Sequence, residues 1–431
     1  MSTPQQVRRV AIVDGLRTPF AKSGTVLQNE TTLQLSSAVV AELVARSGID
    51  AAQVDRVVYG SVVQDVDSPN IAREIVLAGP FPESTDAYSI TRACATSTQT
   101  VISAAQSIAL GESDIVIAGG ADSLSRPPIG YSDRFVELLM QANAAKDVPT
   151  KMRTFAKVRP RDLAPNPPAI AERSTGETMG DSAEKMAKEN GITRQAQDEY
   201  TLESHAKAST AWETGIFDNE VMPYRVPPRF TETIERDTIP RDDSTIEKLA
   251  SLRPVFDRRY GSVTAANSSP LTDGASAVLL MDESVAKALG HEPRAYIRSY
   301  AFSALDPNWQ LLMGPAITTP IALDRAGMTL ADIDVIDMHE AFAAQVLSNV
   351  QAFESEAFAK ERLDRDAAIG EIDPAKFNIY GGSISLGHPF GATGARQIMT
   401  MANELDRRGG GTALVSQCAA GGLGAAIVLE R

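Results

Sequence analysis

Two residues in segments rich in glycine or small side chains are suited to forming a thiol nucleophile and its base. Cys94 lies in TRACATS (91–97) and His388 in GGSISLGHPFGATGAR (381–396), and each precedes a helix-like stretch. A thiol at a helix N-terminus has its thiolate favoured by the helix dipole and by free backbone N–H groups. An imidazole within hydrogen-bond reach would activate it as a nucleophile. The glycines fit this picture, because two helix starts and a substrate must meet without side chains between them.

His339 and Cys418 are the other candidates for chemistry. His339 opens HEAFAAQ directly after the strand-like VIDM, where it is either a functional group or a satisfied core histidine. Glu340 beside it either orients the site or pairs locally. Cys418 stands at the end of a strand-like run, ahead of AAGGLGAA, as a resolving cysteine, a metal ligand or an acid/base. Without a C-x-x-C motif, redox use is not expected.

A zinc site is possible by count alone from Cys94, Cys418, His339 and His388. No pair of these residues has the short ligand spacing of C-x-x-C or H-x-x-x-H. We therefore expect no metal site.

The chain repeats itself, which indicates how these residues are positioned. Three pairs of segments match in order and in apolar pattern, namely 48–55 with 327–334, 97–120 with 393–418, and 274–282 with 424–431. Each half alternates helix-like and strand-like segments, which is typical of an α/β fold. Cys94 and His388 precede equivalent helices, so in halves related by a pseudo-twofold axis the two helix starts face each other.

The first half is interrupted by a long insertion rich in proline and charge. We expect three units: residues 1–123 with 272–293 as the half that carries Cys94, 124–271 as an inserted loop or lid domain, and 294–431 as the half that carries His339, His388 and Cys418. Within the insertion, five basic residues occur with no acid among them: Lys151, Arg153, Lys157, Arg159 and Arg161. They form either a solvated face or a seat for a small polyanionic ligand.

Composition excludes several classes of protein. The net charge of −14 argues against generic binding to nucleic acid or to an anionic membrane. No stretch approaches the roughly 18 apolar residues that a transmembrane helix needs, and the first residues do not form a signal peptide. The 2 cysteines cannot form a disulfide framework and are expected to be free thiols in a reducing compartment. A cytoplasmic enzyme is predicted.

Taken together, the motifs resemble those of the thiolase family. Cys94 in RACATS, HEAF, GGSISLGHPFGATGAR and CAAGGLGAA occur in the family's order, and RTPF, MGDSAE and GSVTAANSSPLTDGAS fit it too. The resemblance extends over essentially the whole chain. It implies two similar βαβαβαββ halves in layered αβαβα order with an inserted loop domain. HEAF, CAAGG and the segment from FVELLM to AIAE most resemble the branch of β-subunits of fatty-acid oxidation multienzyme complexes.

The resemblance implies a role for each site residue in cleaving 3-ketoacyl-CoA with CoA. Cys94, deprotonated by His388, would be the acylated nucleophile, and the backbone N–H groups of Cys94 and Ala420 would hold the oxyanion. His388 and His339 would hold the enolate oxygen, and Cys418 would exchange the proton at carbon.

The resemblance also implies how the substrate is bound and how the chain assembles. Coenzyme A would be a substrate, and no metal or organic cofactor would be required. We expect its thioesters to be bound by Ser269, Met179, Arg153, Lys157 and Arg159. A homodimer or a dimer of dimers is expected, together with a possible hydratase/dehydrogenase partner subunit.

Three alternatives stay open from the sequence. A decarboxylating ketoacyl synthase shares the fold and nucleophile but needs no second cysteine, so Cys418 argues against it. A weakly active thiolase-like acyl-CoA binding protein would need none of the four candidate residues. An acetyltransferase that forms acetoacetyl-CoA usually has Asn in place of His339 and often His in place of Thr178. These two positions argue against short-chain specificity.

Overall fold

The computed structural model describes residues 7–166 and 171–431, and its centre is a mixed β-sheet flanked by helices. Its strands are β1 Val10–Arg17, β2 Ala21–Lys22, β3 Arg56–Gly60, β4 Asp86–Ile90, β5 Ile115–Asp122, β6 Tyr224–Arg225, β7 Thr233–Ile234, β8 Thr272–Asp282, β9 Ala295–Ala304, β10 Val335–Met338, β11 Thr412–Ala419 and β12 Leu423–Glu430. Its helices are α1 Thr32–Ser47, α2 Ile71–Ala78, α3 Thr96–Ala109, α4 Asp133–Ala144, α5 Val148–Phe155, α6 Met179–Glu189, α7 Arg194–Glu213, α8 Ile246–Ala250, α9 Glu283–Ala288, α10 Gly314–Ala326, α11 Ala343–Phe353, α12 Glu356–Arg362, α13 Ser383–Leu386 and α14 Thr393–Arg408.

The order of strands repeats in the two halves. The path β10-β11-β12-β9-β1-β8-β5-β3-β4 runs through the sheet, and β2 pairs with β8 beside it. In the first half β3 and β5 are parallel and β8 is antiparallel to β5. In the second half β10 and β11 are parallel and β12 is antiparallel to β11. The two sets of strands join through a short antiparallel pairing of Ala11 and Ile12 with Tyr296 and Ala295. The predicted α/β fold of two similar halves is confirmed.

Side chains on the two faces of the sheet fill different cores, and this arrangement produces the layers. In β5, Ile115 and Ile117 pack in the outer core of the first half with α1 and α2, whereas Val116 and Ala118 face the opposite way. This alternation follows from the two-residue period of a strand. The inner core contains α3 and α14 between strands of both halves, and α10 and α11 cover the outer face of the second half. The result is the expected αβαβα arrangement.

The starts of α3 and α14 meet at the centre, where glycine is required by space. A Cβ on Gly394 would overlap Thr98 of α3, and one on Gly120 would overlap the carbonyl oxygen of Gly391. The backbone N–H of Ala395 donates to the Ser97 hydroxyl at 2.9 Å, which ties the two helix starts together. The predicted meeting of the two helix starts is therefore present in the fold.

The insertion is anchored on both halves. Helices α6 and α7 pack against α11, and α7 also packs against α13, in the second half, whereas α4 and α5 pack on each other. Arg17 of the first half is fully buried and forms a two-pronged ion pair with Asp237, at 2.6 and 2.9 Å, and a longer one with Glu220 at 3.4 Å. A buried charge needs such partners, so this cluster fixes the insertion against the strand β1.

Candidate active site

Cys94 lies in a strained turn just before α3. The residue before it, Ala93, has a φ of 45°, a conformation that non-glycine residues rarely adopt. This turn leaves the Cys94 side chain partly exposed, and the backbone N–H groups of Ala420 and of Cys94 itself lie near its sulfur and lower the pKa of the thiol. These are the two backbone groups that the family resemblance assigns to an oxyanion hole.

The Cys94 thiol is neutral in the resting site. Burial raises its pKa to about 11, which outweighs the two backbone donors that lower it. The backbone donors favour the thiolate as expected, but burial has the larger effect and the thiol stays protonated. The reason is that the same close packing that brings the helix starts together also removes the water that would solvate a thiolate.

His388 has one ring nitrogen engaged and one free. The Thr393 hydroxyl donates to the Pro389 carbonyl oxygen at 3.0 Å, so it accepts from Nδ1–H of His388 at 2.6 Å. This assigns the lone pair to Nε2, which has no hydrogen-bond partner among the described residues. Burial, assisted by the charge of Arg396, lowers the pKa of His388 to about 3. His388 is therefore a neutral imidazole with its basic nitrogen available.

His339 lies behind His388. The two rings have centroids 4.2 Å apart and are tilted by 49°. Nδ1 of His339 is 2.9 Å from the Ser383 hydroxyl, and its Nε2 is likewise without a partner in the described part of the chain. One ligand-type atom each from Cys94, His339 and His388 lies within 4.8 Å of the others. Burial, followed by the charges of His388 and Arg396, holds the pKa of His339 well below its usual value.

Cys418 lies near the end of β11, almost completely buried. Burial raises the pKa of its thiol well above the ordinary value, and proximity to Cys94 raises it further. Cys418 is therefore also a neutral thiol in the resting site.

A cavity of about 340 Å³ opens onto these groups. Of the predicted residues, six line it: Cys94, Met179, Ser269, His388, Cys418 and Ala420. His339 does not line the cavity; its ring contacts that of His388. The wall is mostly apolar and includes Val62, Val63, Leu271, Leu312 and Phe342.

The basic residues of the insertion lie elsewhere. Arg153 belongs to α5, and Lys157 and Arg159 follow it; all three are exposed and none lines the cavity. The structure therefore does not bring them together with Cys94. Any contact that they make with a substrate would be with a part outside this cavity.

Glu340 is a fully buried carboxylate whose hydrogen-bond partners are far from it in the sequence. It accepts from Tyr200 and Ser204 of α7, both at 2.8 Å, from Asn378 at 3.0 Å and from the backbone N–H of Ile384 at 3.2 Å. Of the two roles left open by the sequence, the orienting one fits, because these bonds connect the insertion to the segment next to His339 and to the glycine-rich segment.

Asp122 is a site residue that sequence reasoning missed. Its buried carboxylate accepts from the Ser61 hydroxyl and from the backbone N–H groups of Val62 and Val63 at 2.8–3.1 Å, and from that of Gly391 at 2.6 Å. Burial raises its pKa to about 6 despite these donors. Asp122 thus joins the wall of the cavity to the segment that carries His388.

Signals for the missed residues were present but weak. Asp122 ends the apolar run IVIAGGAD, where a polar residue at the end of a buried strand often marks a site. Thr393 follows His388 by five residues in the same motif, and Ser383 precedes it by five. Only the fold shows that both hydroxyls face histidine nitrogens.

No helix in the described ranges is both long and apolar enough to cross a membrane.

Comparison with known proteins identifies relatives over nearly the whole chain. The chain is 55% identical over 426 residues to a 3-ketoacyl-CoA thiolase of Yersinia pestis (strain Pestoides F), covering 99% of this chain and 98% of the relative. Human mitochondrial 3-ketoacyl-CoA thiolase superposes with a TM-score of 0.84 at 30% identity, and a Bacillus anthracis acetyl-CoA acetyltransferase with 0.83 at 34%, each covering 99% of both chains. A structure of the human enzyme in complex with CoA superposes with a TM-score of 0.83 at 30% identity, covering 99% of this chain and 98% of that one.

The family models agree over both halves. The thiolase N-terminal domain matches residues 10–284 and the thiolase C-terminal domain matches residues 291–431. The chain therefore belongs to the thiolase family.

Proposed function

We propose that this protein is a 3-ketoacyl-CoA thiolase, which cleaves a 3-ketoacyl-CoA with CoA to give acetyl-CoA and a shortened acyl-CoA. The observation that carries the proposal is the free Nε2 of a neutral His388 beside Cys94, whose sulfur faces two backbone donors at the end of an apolar cavity. The 55% identity to a protein of that name supports it.

In the first half-reaction the neutral thiol and imidazole act together. As the Cys94 sulfur attacks the ketone carbon, its proton moves to Nε2 of His388, which avoids a free thiolate in a desolvated site. The backbone N–H groups of Cys94 and Ala420 stabilise the tetrahedral oxyanion. The carbon–carbon bond then breaks, the acyl group stays on sulfur, and acetyl-CoA leaves as an enolate that takes a proton from Cys418.

The second half-reaction restores the protons. The thiol of CoA gives its proton to the Cys418 thiolate and attacks the acyl group. The Cys94 thiolate that leaves recovers its proton from His388. Before that, while acetyl-CoA is still an enolate, protonated His388 stabilises the enolate oxygen, with His339 next to it. Each proton step has a residue of this chain, so we propose that the reaction needs no resident metal or organic cofactor.

Three features of the site favour a 3-ketoacyl-CoA thiolase over the three alternatives. Cys418 lines it beside Cys94, as proton transfer to carbon requires and decarboxylation does not. The apolar wall suits an acyl chain, which favours 3-ketoacyl-CoA cleavage over acetoacetyl-CoA formation. A weakly active acyl-CoA binding protein would not require a free imidazole nitrogen at the nucleophile.

We further propose that the insertion contributes to binding CoA. The division into 1–123 with 272–293, 124–271 and 294–431 remains our proposal, with Ser269 and Met179 at the cavity wall as contacts to the arm of CoA. The exposed charges of Arg153, Lys157 and Arg159 suit the nucleotide phosphates.

The setting of the protein is also a proposal. Both thiols are free, and one is the proposed nucleophile, which favours a reducing cytoplasm. We propose a homodimer or a dimer of dimers, a role in β-oxidation, and association with a hydratase/dehydrogenase subunit. These proposals rest on the branch of the family that the sequence resembles.

Neutralising Arg153 and Lys157 together by glutamine tests the phosphate contact. We expect KM for CoA thioesters to rise with a smaller change in kcat, and the effect to be larger at low salt. Neutralising Lys248 and Lys287, which lie in other exposed positions, is the matched control. An unchanged KM in the double variant would reassign these residues to another surface.

Acylation identifies the nucleophile directly. Incubation of the protein with a 3-ketoacyl-CoA in the absence of CoA should add one acyl mass to the peptide that contains Cys94, as measured by mass spectrometry. Cys94→Ala should show no adduct and lose thiolysis almost completely, because no other group replaces the sulfur. Wild-type turnover in Cys94→Ala would refute the mechanism and the proposed function.

Cys418→Ala separates thiolase chemistry from that of a synthase. We expect this variant to be acylated at Cys94 by an activated thioester, yet to lose about 10²–10⁴-fold in thiolysis, the usual contribution of a positioned acid/base. It should also stop exchanging the methyl hydrogens of acetyl-CoA with deuterated water, as followed by NMR. Equal exchange in variant and wild type would make Cys418 a packed core thiol and favour the synthase.

The pH dependence of kcat/KM should report the ionisation of Asp122. The pKa values of Cys94 and His388 are shifted away from neutrality, to about 11 and about 3, whereas that of Asp122 is about 6. Protonation of Asp122 removes acceptor capacity that four donors use. We therefore expect kcat/KM to fall as the pH decreases through about 6.

In Asp122→Asn this acid limb should disappear, and activity at neutral pH should fall by up to about 100-fold, as misplacement of a catalytic group can cause. Asp282→Asn, at the far end of β8, is the control and should keep the limb. An acid limb that persists unchanged in Asp122→Asn would assign the titration to another group.

A further inference from the structure

We infer that Cys94, His339 and His388 also form a binding site for a soft divalent cation such as Zn²⁺, and that the cation inhibits the enzyme by occupying its nucleophile. The inference rests on the geometry of the three side chains. Only the inhibitory consequence rests on the proposed function.

The ligand atoms are of the right kind and close together. One atom from each of the three residues lies within 4.8 Å of the other two. Zn²⁺ binds imidazole nitrogen at about 2.0–2.1 Å and thiolate sulfur at about 2.3 Å, so tetrahedral ligands lie roughly 3.5 Å apart. The three atoms would have to approach one another by roughly 1 Å to reach this separation.

Both histidines present an unpartnered nitrogen. Within the described ranges, Nε2 of His339 and Nε2 of His388 are buried and make no hydrogen bond. A buried polar atom without a partner is rare in folded proteins and calls for an explanation. A cation bound to both Nε2 atoms would satisfy the two nitrogens at once.

The other nitrogens are held in the manner of metal-ligating histidines. Nδ1 of His388 donates to the Thr393 hydroxyl at 2.6 Å, and Nδ1 of His339 is 2.9 Å from that of Ser383. In metal sites, the nitrogen opposite the ligating one is usually hydrogen-bonded in this way, which fixes the ring and its tautomer. The supporting contacts for a metal are therefore present.

The fourth position would be open. Cys94 and His388 line the cavity, so water could complete the tetrahedron. Among the described residues Cys418 does not belong to the group whose atoms lie within this distance. The proposed site thus departs from our sequence-based expectation of no metal site. It has three of the four residues that counting alone offers, with the fourth position open to water.

Metal binding removes the groups that the reaction needs. The Cys94 thiol gives up its proton to solvent when a sulfur–zinc bond forms, and both imidazoles bind in their neutral form. The occupied site has neither a free sulfur to attack a ketone nor a free Nε2 to take a proton. Substrate acylation and metal binding would therefore exclude each other.

The test uses the full-length protein and the metal alone. Purified protein, stripped with EDTA, should take up one Zn²⁺ per chain in competition with a chromophoric chelator. With Co²⁺ it should show intense visible bands of tetrahedral cobalt and a thiolate-to-cobalt charge-transfer band in the near ultraviolet. Weak octahedral bands without charge transfer, or no uptake, would overturn the inference.

Variants assign the ligands. Cys94→Ala should abolish the charge-transfer band, His339→Asn should weaken Zn²⁺ binding strongly, and Thr393→Val should weaken it by about 10–100-fold. Cys418→Ala and His291→Asn, as matched controls for a nearby thiol and a distant histidine, should bind like wild type. Unchanged binding in Cys94→Ala would overturn the assignment.

A measurement on the wild type covers the case in which a variant fails to fold. Zn²⁺ should slow alkylation of Cys94 by iodoacetamide, and EDTA should reverse this protection, as followed on the Cys94 peptide. Equal alkylation with and without Zn²⁺ would contradict the inference whether or not the protein turns over 3-ketoacyl-CoA.

Discussion

The site depends on a backbone-to-backbone contact between two helix starts. Gly394 of α14 lies against Thr98 of α3, and Gly391 lies against Gly120 near the end of β5. Neither Gly394 nor Gly120 has room for a Cβ. Close-packed interiors do not yield to an added methyl group without cost. The separation of Cys94 and His388 is therefore fixed by the packing of the two halves rather than by flexible side chains. The glycine-rich segment carries a histidine because that is where the halves touch.

The same contact determines the charge state of the site. Burial raises the pKa of Cys94 and lowers that of His388, so both rest neutral. A neutral thiol is a poor nucleophile, which protects it between turnovers. The nearby carboxylates are supported differently, because Asp122 and Glu340 each accept hydrogen bonds from several donors. The fold thus tolerates buried carboxylates where their hydrogen bonds connect distant segments.

Sequence reasoning succeeded where a pattern repeats and was limited where partners come from distant segments. The duplicated helix–strand order predicted both halves and the facing of Cys94 and His388. The roles of Glu340 and Asp122 could not be read from local spacing, because their partners lie on α7, on residues 61–63 and on Gly391. The thiolate expectation considered the helix start but not desolvation, which depends on tertiary packing. The basic residues of the insertion were evident in the sequence, but their position outside the cavity was not.

Thr393 makes the imidazole of His388 a one-sided proton carrier. Its hydroxyl occupies Nδ1 and passes its own hydrogen to Pro389, so this chain of hydrogen bonds ends at a carbonyl and leads no further. A proton taken up at Nε2 has no exit through the back of the ring and must return through the atom by which it arrived. The hydrogen that leaves the cysteine is therefore stored on the side of the ring that faces the cavity, where it is available for the step that regenerates the thiol.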